Sequence, residues 1–163
     1  MIEQFRGPNF YLSNMYFLEN WIQTDQGFLV PTSEHAYQAA KFVDIDAHKQ
    51  VASACAEMLD PRVYADGLAA KEMAHSLIEQ GAEVRLDWEI ARDGIMLVSA
   101  RQKFVRNRPI LEKLIATEFE EIVEGNDWGD RYWGVDPVGS RNGKNMLGKI
   151  LMRVRDEGKM GEL

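Results

Sequence analysis

The chain is nearly without cysteine: among 163 residues only Cys55 carries a thiol. No disulfide can close within it, and a reducing, cytoplasmic setting is expected. Cys55 lies in VASACAEML, a stretch of small and apolar residues at helical spacing, which predicts a buried, inert thiol. Histidine is sparse as well. His35, His48 and His75 are scattered, and SEHAYQ lacks the second ligand of a histidine-pair zinc helix. There is no nucleophile elbow and no cysteine–histidine signature, so no metal and no cofactor is implied. No basic-then-apolar leader and no apolar run of spanning length occurs, and a soluble protein with no membrane partner is expected. Positive charge is in deficit, with a net of −7. Sequence-independent duplex binding draws on counterion release and wants a basic surface, so the charge argues against coating of DNA and leaves a local basic cleft open.

What is present reads as an ordinary globular chain, 45% apolar and 28% charged. Its length suits one domain over residues 1–163. The first thirty residues hold short aromatic and β-branched runs around TDQG, which predicts short strands and a hairpin. From Thr32 the periodicity turns helical, predicting helices near 33–45, 47–58, 67–80, 87–106, 109–116 and 145–157. EEIVEG reads as one more short strand. Residues 125–145 are rich in Gly, Asp and Asn, and their aromatic rings point to a long ordered loop, a kind usually kept for function. The fold class is therefore α+β, mainly helical with a few short strands.

Three stretches can carry chemistry. In PTSEHAYQAAKF, a helix puts Glu34, Gln38 and Lys41 in one polar row, opposite Ala36, Ala39, Ala40 and Val43. Periodicity alone favours a solvent-facing stripe. Yet Glu34 falls in the first turn behind the caps Thr32 and Ser33, where the helix dipole favours a carboxylate. In RLDWEIARDGIMLVSARQKFVRN, Trp88 shares a side with Arg92, Ile95, Ser99, Lys103 and Arg106. Leu97, Ala100, Phe104 and Val105 take the buried side. An aromatic beside cations suits a base or sugar with phosphate, and a solvated basic face suits the pattern equally well. In GSRNGKNMLGKILMRVR, glycines precede a helix for which Asn145 is the predicted N-cap, and free N–H groups at such an end bind anions. Two basic segments, Arg101 to Lys113 and Arg141 to Lys159, fit a phosphate-bearing ligand or merely solvated faces. DWGDRYWG at 127–134 offers two acid–tryptophan pairs, which composition cannot rank.

The order of LSN at 12–14, TSEHAYQAAKF at 32–42, RLDWE at 85–89, KF at 103–104, VEG, DRYWG and GKNMLGKILMRVR resembles the NADAR (YbiA-like) family from about residue 2 to about 155. The resemblance implies a YbiA-like α+β fold and N-glycosidase chemistry at a ribose C1 bearing an exocyclic amine. The implied substrate is either ADP-ribose on guanine of nucleic acid, as left by toxin-type transferases, or a phosphoribosylated pyrimidine intermediate of riboflavin biosynthesis. A non-catalytic ADP-ribose or nucleotide binder is the third reading, disfavoured by the intact carboxylates Glu34 and Asp130. The family's catalytic glutamate corresponds to Glu34, its tryptophan to Trp88, and its aspartate and tryptophan to Asp130 and Trp133. Ser13, Asn14, Lys41, Lys103, Asn107 and the Gly143-Lys144-Asn145 turn match further motif positions and are taken as substrate-binding. Asp127 and Trp128 then become an adjoining insertion. A ribosyl C–N bond breaks through an oxocarbenium-like state. Glu34 is assigned the ring side, stabilising the cation or deprotonating water, and Asp130 the ribose hydroxyls or the leaving amine, with the two roles open to exchange. Lys103, Lys144 and the helix end after Asn145 are assigned the phosphate.

Overall fold

The computed structural model describes residues 1–55 and 65–163. They fall into two compact units, Asn14–Asn107 on one side and Met1–Ser13 with Arg108–Leu163 on the other.

The first unit opens on the predicted hairpin. β1 (Ile22–Gln23) pairs antiparallel with β2 (Leu29–Val30), Ile22 opposite Val30. TDQG makes the turn: Thr24 Oγ1 accepts the Phe28 N–H, and Gly27 takes φ +85°, a conformation that suits glycine. α1 (Ser33–Ala39) follows. Thr32, not Ser33, is its cap, with Oγ1 accepting the His35 N–H at 3.2 Å. The helix ends six residues earlier than its periodicity predicts because Asp44 starts another. Asp44 Oδ1 caps α2 (Ile45–Ala52) through Ala47 N–H at 2.8 Å. The last residues of the predicted 47–58 helix lie outside the described residues. α3 (Ala65–Glu79) and α4 (Trp88–Arg106) complete the unit, and α1 packs against α2, α3 and α4 alike. A short helix touching three others is enclosed, and all of Ser33–Ala39 is buried. The expected solvent-facing stripe is thus overturned: Glu34 is 8% and Gln38 4% exposed. The face of α4 is corrected too. Met96, Ser99, Ala100, Lys103 and Phe104 are buried, whereas Val105 is exposed. Cys55 is exposed rather than buried.

The second unit contains a 3₁₀ helix (Gly7–Leu12), α5 (Arg108–Ile115) and α6 (Met146–Met160), with α5 packed on α6. EEIVEG forms no regular strand. It makes a parallel bridge, Ile2 to Ile122, supported by Ile2 N–H to Glu121 O and Val123 N–H to Ile2 O, both 2.8 Å. Among the described residues no helix is long and apolar enough to cross a membrane, and no group of three or more His, Cys, Asp or Glu side chains could hold a metal ion.

Candidate active site

In the first unit the motif residues converge on α1. The Glu34 N–H donates to Asn14 O at 3.0 Å, so Asn14, the last residue of LSN, anchors the turn carrying the carboxylate. One turn on, Gln38 Nε2 donates to Glu34 Oε1 at 2.7 Å, the i, i+4 geometry of one helix face. Gly67 of α3 makes room: a Cβ there would meet Met15 Sδ at 2.6 Å and approach Glu34 Cβ at 3.5 Å. Sequence reasoning passed over Gly67. Its signal, a glycine in the first turn of a helix, is too common to stand out.

Lys41 lies just past the end of α1. Its carbonyl accepts the Arg85 N–H at 2.8 Å, and Arg85 O in turn accepts the Trp88 N–H at 3.2 Å. The pairing of Arg85 with Asp87 at 2.6 Å and with Asp25 at 3.3 Å steadies this corner. It sets the Trp88 ring 5.0 Å from Tyr37, tilted by 54°, with Lys41 Nζ 5.9 Å from the Tyr37 ring and 5.8 Å from the Trp88 ring. Burial lowers the Lys41 pKa from its usual value; Glu34 opposes this shift and Lys71 adds to it. A lysine whose ammonium form is disfavoured by burial gives up its proton more readily than an exposed one. The half-buried Trp88 ring, backed by the buried Tyr37, offers a surface on which a flat base or a sugar can rest.

Two further residues of this unit look inward. Lys103 is 2% exposed, its ammonium 5.7 Å from the Tyr16 ring and 5.2 Å from the Phe104 ring. It is a core cation and not part of an exposed basic face. The Asn107 amide is engaged with backbone: Nδ2 donates to Asn20 O and Lys103 O, and Oδ1 accepts the Asn20 N–H. Those bonds tie the end of α4 to the segment before β1.

The second unit holds the remaining motif positions. Ser13 ends the 3₁₀ helix, its N–H on Phe10 O at 2.9 Å. DWGDRYWG is organised by Asn126, whose side chain is buried at 1% exposure. Asn126 Oδ1 accepts the Trp128 and Asp130 N–H groups, and Nδ2 donates to Asp130 O and Val135 O. Asp130 Oδ1 accepts the Tyr132 and Trp133 N–H groups at 3.0 and 2.9 Å, an Asx-type turn that presents Trp133 edge-on to Tyr132 with ring centres 5.2 Å apart. Asp127 Oδ1 makes one long bond, 3.3 Å, to the Val138 N–H, and Trp128 is 61% exposed. Both acids therefore shape the loop.

The helix end after Asn145 does not match its sequence reading. Asn145 occupies the cap position at φ +49° without capping through its side chain. Its Oδ1 accepts the Glu124 N–H and its Nδ2 donates to Ile122 O. The N–H groups of Lys144, Asn145, Met146 and Leu147 are taken by the carbonyls of Arg131, Gly134, Tyr132 and Trp133. The N–H groups predicted to meet phosphate meet protein. Glycines permit this close docking: a Cβ on Gly134 would lie 2.1 Å from Glu124 O, and one on Gly143 2.2 Å from Gly134 O. Lys144 itself is exposed, its Nζ 4.7 Å from the Tyr132 ring.

The family model for the NADAR domain matches residues 3–157. The chain belongs to the NADAR family. This NADAR protein is 34% identical over 134 residues to the riboflavin biosynthesis protein VVA0006 of Vibrio vulnificus, covering 82% of this chain and 32% of that one. It therefore spans about a third of the Vibrio protein. It is 30% identical to the N-glycosidase YbiA of Escherichia coli, covering 78% and 69% of the two chains. Identity to the N-glycosidase Npun_R5314 of Nostoc punctiforme is 35%, over 77% and 72%. The solved NMR structure of E. coli YbiA superimposes with a TM-score of 0.71 at 26% identity, covering 99% of this chain and 89% of that one. The fold is thus the α+β fold of YbiA.

Proposed function

We propose that this NADAR protein is an N-glycosidase that hydrolyses the bond between a ribose C1 and an exocyclic amine. The observation that carries the proposal is the buried Glu34 carboxylate, which accepts a hydrogen bond from Gln38 while the Glu34 backbone N–H is anchored on Asn14 O, and whose charge is felt by Lys41, a lysine of lowered pKa set against the Tyr37 and Trp88 rings. The N-glycosidase names of its YbiA and Nostoc relatives support it. Cleavage builds positive charge on C1 and the ring oxygen, which a carboxylate stabilises. Glu34 takes that role, and Lys41 donates the proton that the departing amine needs. Trp88 faces the base or sugar, with Tyr37 packed against it. Asp130 and Trp133 are assigned to the substrate on the family motif alone, Asp130 through the loop it shapes.

The finer substrate proposed is ADP-ribose on guanine, with ADP-ribosylated nucleic acid as the partner, in reversal of toxin-type modification. A second reading, hydrolysis of a phosphoribosylated pyrimidine amine, is favoured by a specific observation. Much of the basic charge that suggested a large phosphodiester is spent within the chain: Arg108 on Glu112, Arg141 on Glu121, Arg153 on Glu157, Arg106 on Trp21 O, and Arg155 on Thr117 and Glu120 O. The name of the Vibrio relative points the same way.

Initial rates of base release from ADP-ribosylated DNA and from the phosphoribosylated riboflavin intermediate distinguish the two. In both, Glu34→Gln is expected to abolish turnover, at least about 10²-fold, while substrate binding persists. Retention of most of the rate in that variant refutes the assignment. Binding of ADP-ribose without base release from either compound would make the protein a reader module.

A further inference from the structure

The amide of Gln38 is half used. Its Nε2 is committed to Glu34 Oε1. Its Oε1 is buried and meets no donor among the described residues, on a side chain 4% exposed. A buried carbonyl oxygen left without a donor is costly, and such an atom in a close-packed interior calls for a reason. The amide cannot turn over to find a partner, since that would aim its oxygen at a carboxylate oxygen. The contact with Glu34 therefore dictates that the other face of the residue is an acceptor. A group that fits between an acceptor and a carboxylate carries two hydrogens on one small atom. Water is such a group, and hydrolysis consumes one.

We propose that Gln38 is a positioning residue for the attacking water, its Nε2 fixing Glu34 and its Oε1 holding the water hydrogen that Glu34 does not take. The inference rests on the N-glycosidase reading above. In the step, the water oxygen bonds to C1 while the C1–N bond breaks and its electron pair leaves on nitrogen. One water proton passes to Glu34, and the amine takes a proton from Lys41. Solvent then returns the proton from Glu34 to Lys41, so the sum is water plus ribosylamine giving ribose and free amine. Holding the nucleophile at a fixed angle is a positioning effect, and misplacement by about 1 Å can cost about 10²-fold.

The test is kinetics of Gln38→Met and Gln38→Glu in the full chain, with methanol added as a competing nucleophile. Methanol has one hydroxyl hydrogen and cannot satisfy both acceptors. The unaltered protein is expected to favour water over methanol beyond their concentration ratio. Gln38→Met is expected to lose kcat by about 10–100-fold with KM little changed, and to lose that discrimination. Gln38→Glu, which keeps an acceptor of the same shape, is expected to retain more of the discrimination than Gln38→Met. A purely structural role would not move the methanol partition. Unchanged kcat and partition in Gln38→Met overturn the proposal, as does a rise in KM alone, which would place a substrate hydroxyl on Gln38. Should Gln38→Met fail to fold, the unaltered protein and Gln38→Glu decide: product formation in proportion to the concentrations of water and methanol overturns it. Absence of base release by the unaltered protein is a different outcome, which overturns the N-glycosidase reading and this inference with it.

Discussion

Asp130 offers a test that separates chemistry from architecture, because one of its oxygens has a visible structural task. Oδ1 accepts the N–H groups of Tyr132 and Trp133. In Asp130→Asn the amide oxygen can accept the same two bonds, and only their charge assistance is lost. Bonds to a charged acceptor contribute about 1.5–3 kcal/mol and neutral ones about 0.5–1.5. With the side chain part-exposed and water able to compensate, the variant should lose about 1–2 kcal/mol. For a chain of this size that lowers Tm by roughly 2–8 °C. Asp130→Ala removes both bonds and should lose about 3–5 kcal/mol. If the carboxylate also serves the substrate, Asp130→Asn should depress kcat/KM by at least about 10²-fold at a temperature where it is fully folded. Asp127→Asn, which disturbs a single 3.3 Å bond, should be nearly silent in both. Thermal melts and initial rates on the three variants give the comparison. A rate for Asp130→Asn within about threefold of the parent would show that this acid only turns the chain.

On the proposed role, Lys41 should set an alkaline limit. As a proton donor with a pKa lowered by burial, it should make the rate fall with rising pH below the usual lysine range, and Lys41→Met should abolish that limb; a limb that survives the substitution refutes the role. The sign for stability is opposite. The unfolded chain binds the extra proton between the lowered native pKa and about 10.4, so stability should rise with pH across that window, and denaturant midpoints for Lys41→Met should lack the rise. Asn126→Ala removes four hydrogen bonds from a buried hub and should cost about 3–4 kcal/mol at roughly 1 kcal/mol each; an unchanged denaturation midpoint would mean that the loop is not held there. Gly143→Ala places a Cβ 2.2 Å from Gly134 O, a backbone atom that cannot step aside, so it should destabilise more than Gly139→Ala, whose Cβ would meet nothing within 4 Å.

Element types were legible where local chemistry was strong, as in the TDQG turn, the Thr32 cap and the periodicity of the long helices. Boundaries failed where two signals competed. The alanine-rich run after Glu34 continues a helical pattern into Val43, but Asp44 caps the next helix and the chain must bend before it. The polar row of Glu34, Gln38 and Lys41 was legible as a row and illegible as a buried one. Periodicity reports which side chains share a face, and only the packing of α2, α3 and α4 around α1 decides that this face is enclosed. The same limit explains Lys103, whose charge read as surface and whose ring neighbours place it in the core. At α6 the error was of another kind. A helix start after glycines has free N–H groups only if nothing else in the chain reaches them, and the carbonyls of 131–134 do. Glycine there serves close backbone approach, with Gly134 and Gly143 each leaving no space for a Cβ. The repeated motif in DWGDRYWG follows the same logic. An acid that folds back on N–H groups two and three residues ahead fixes the direction of the tryptophan that follows it. Asp130 does this for Trp133, whereas Asp127 reaches only to Val138 and leaves Trp128 exposed.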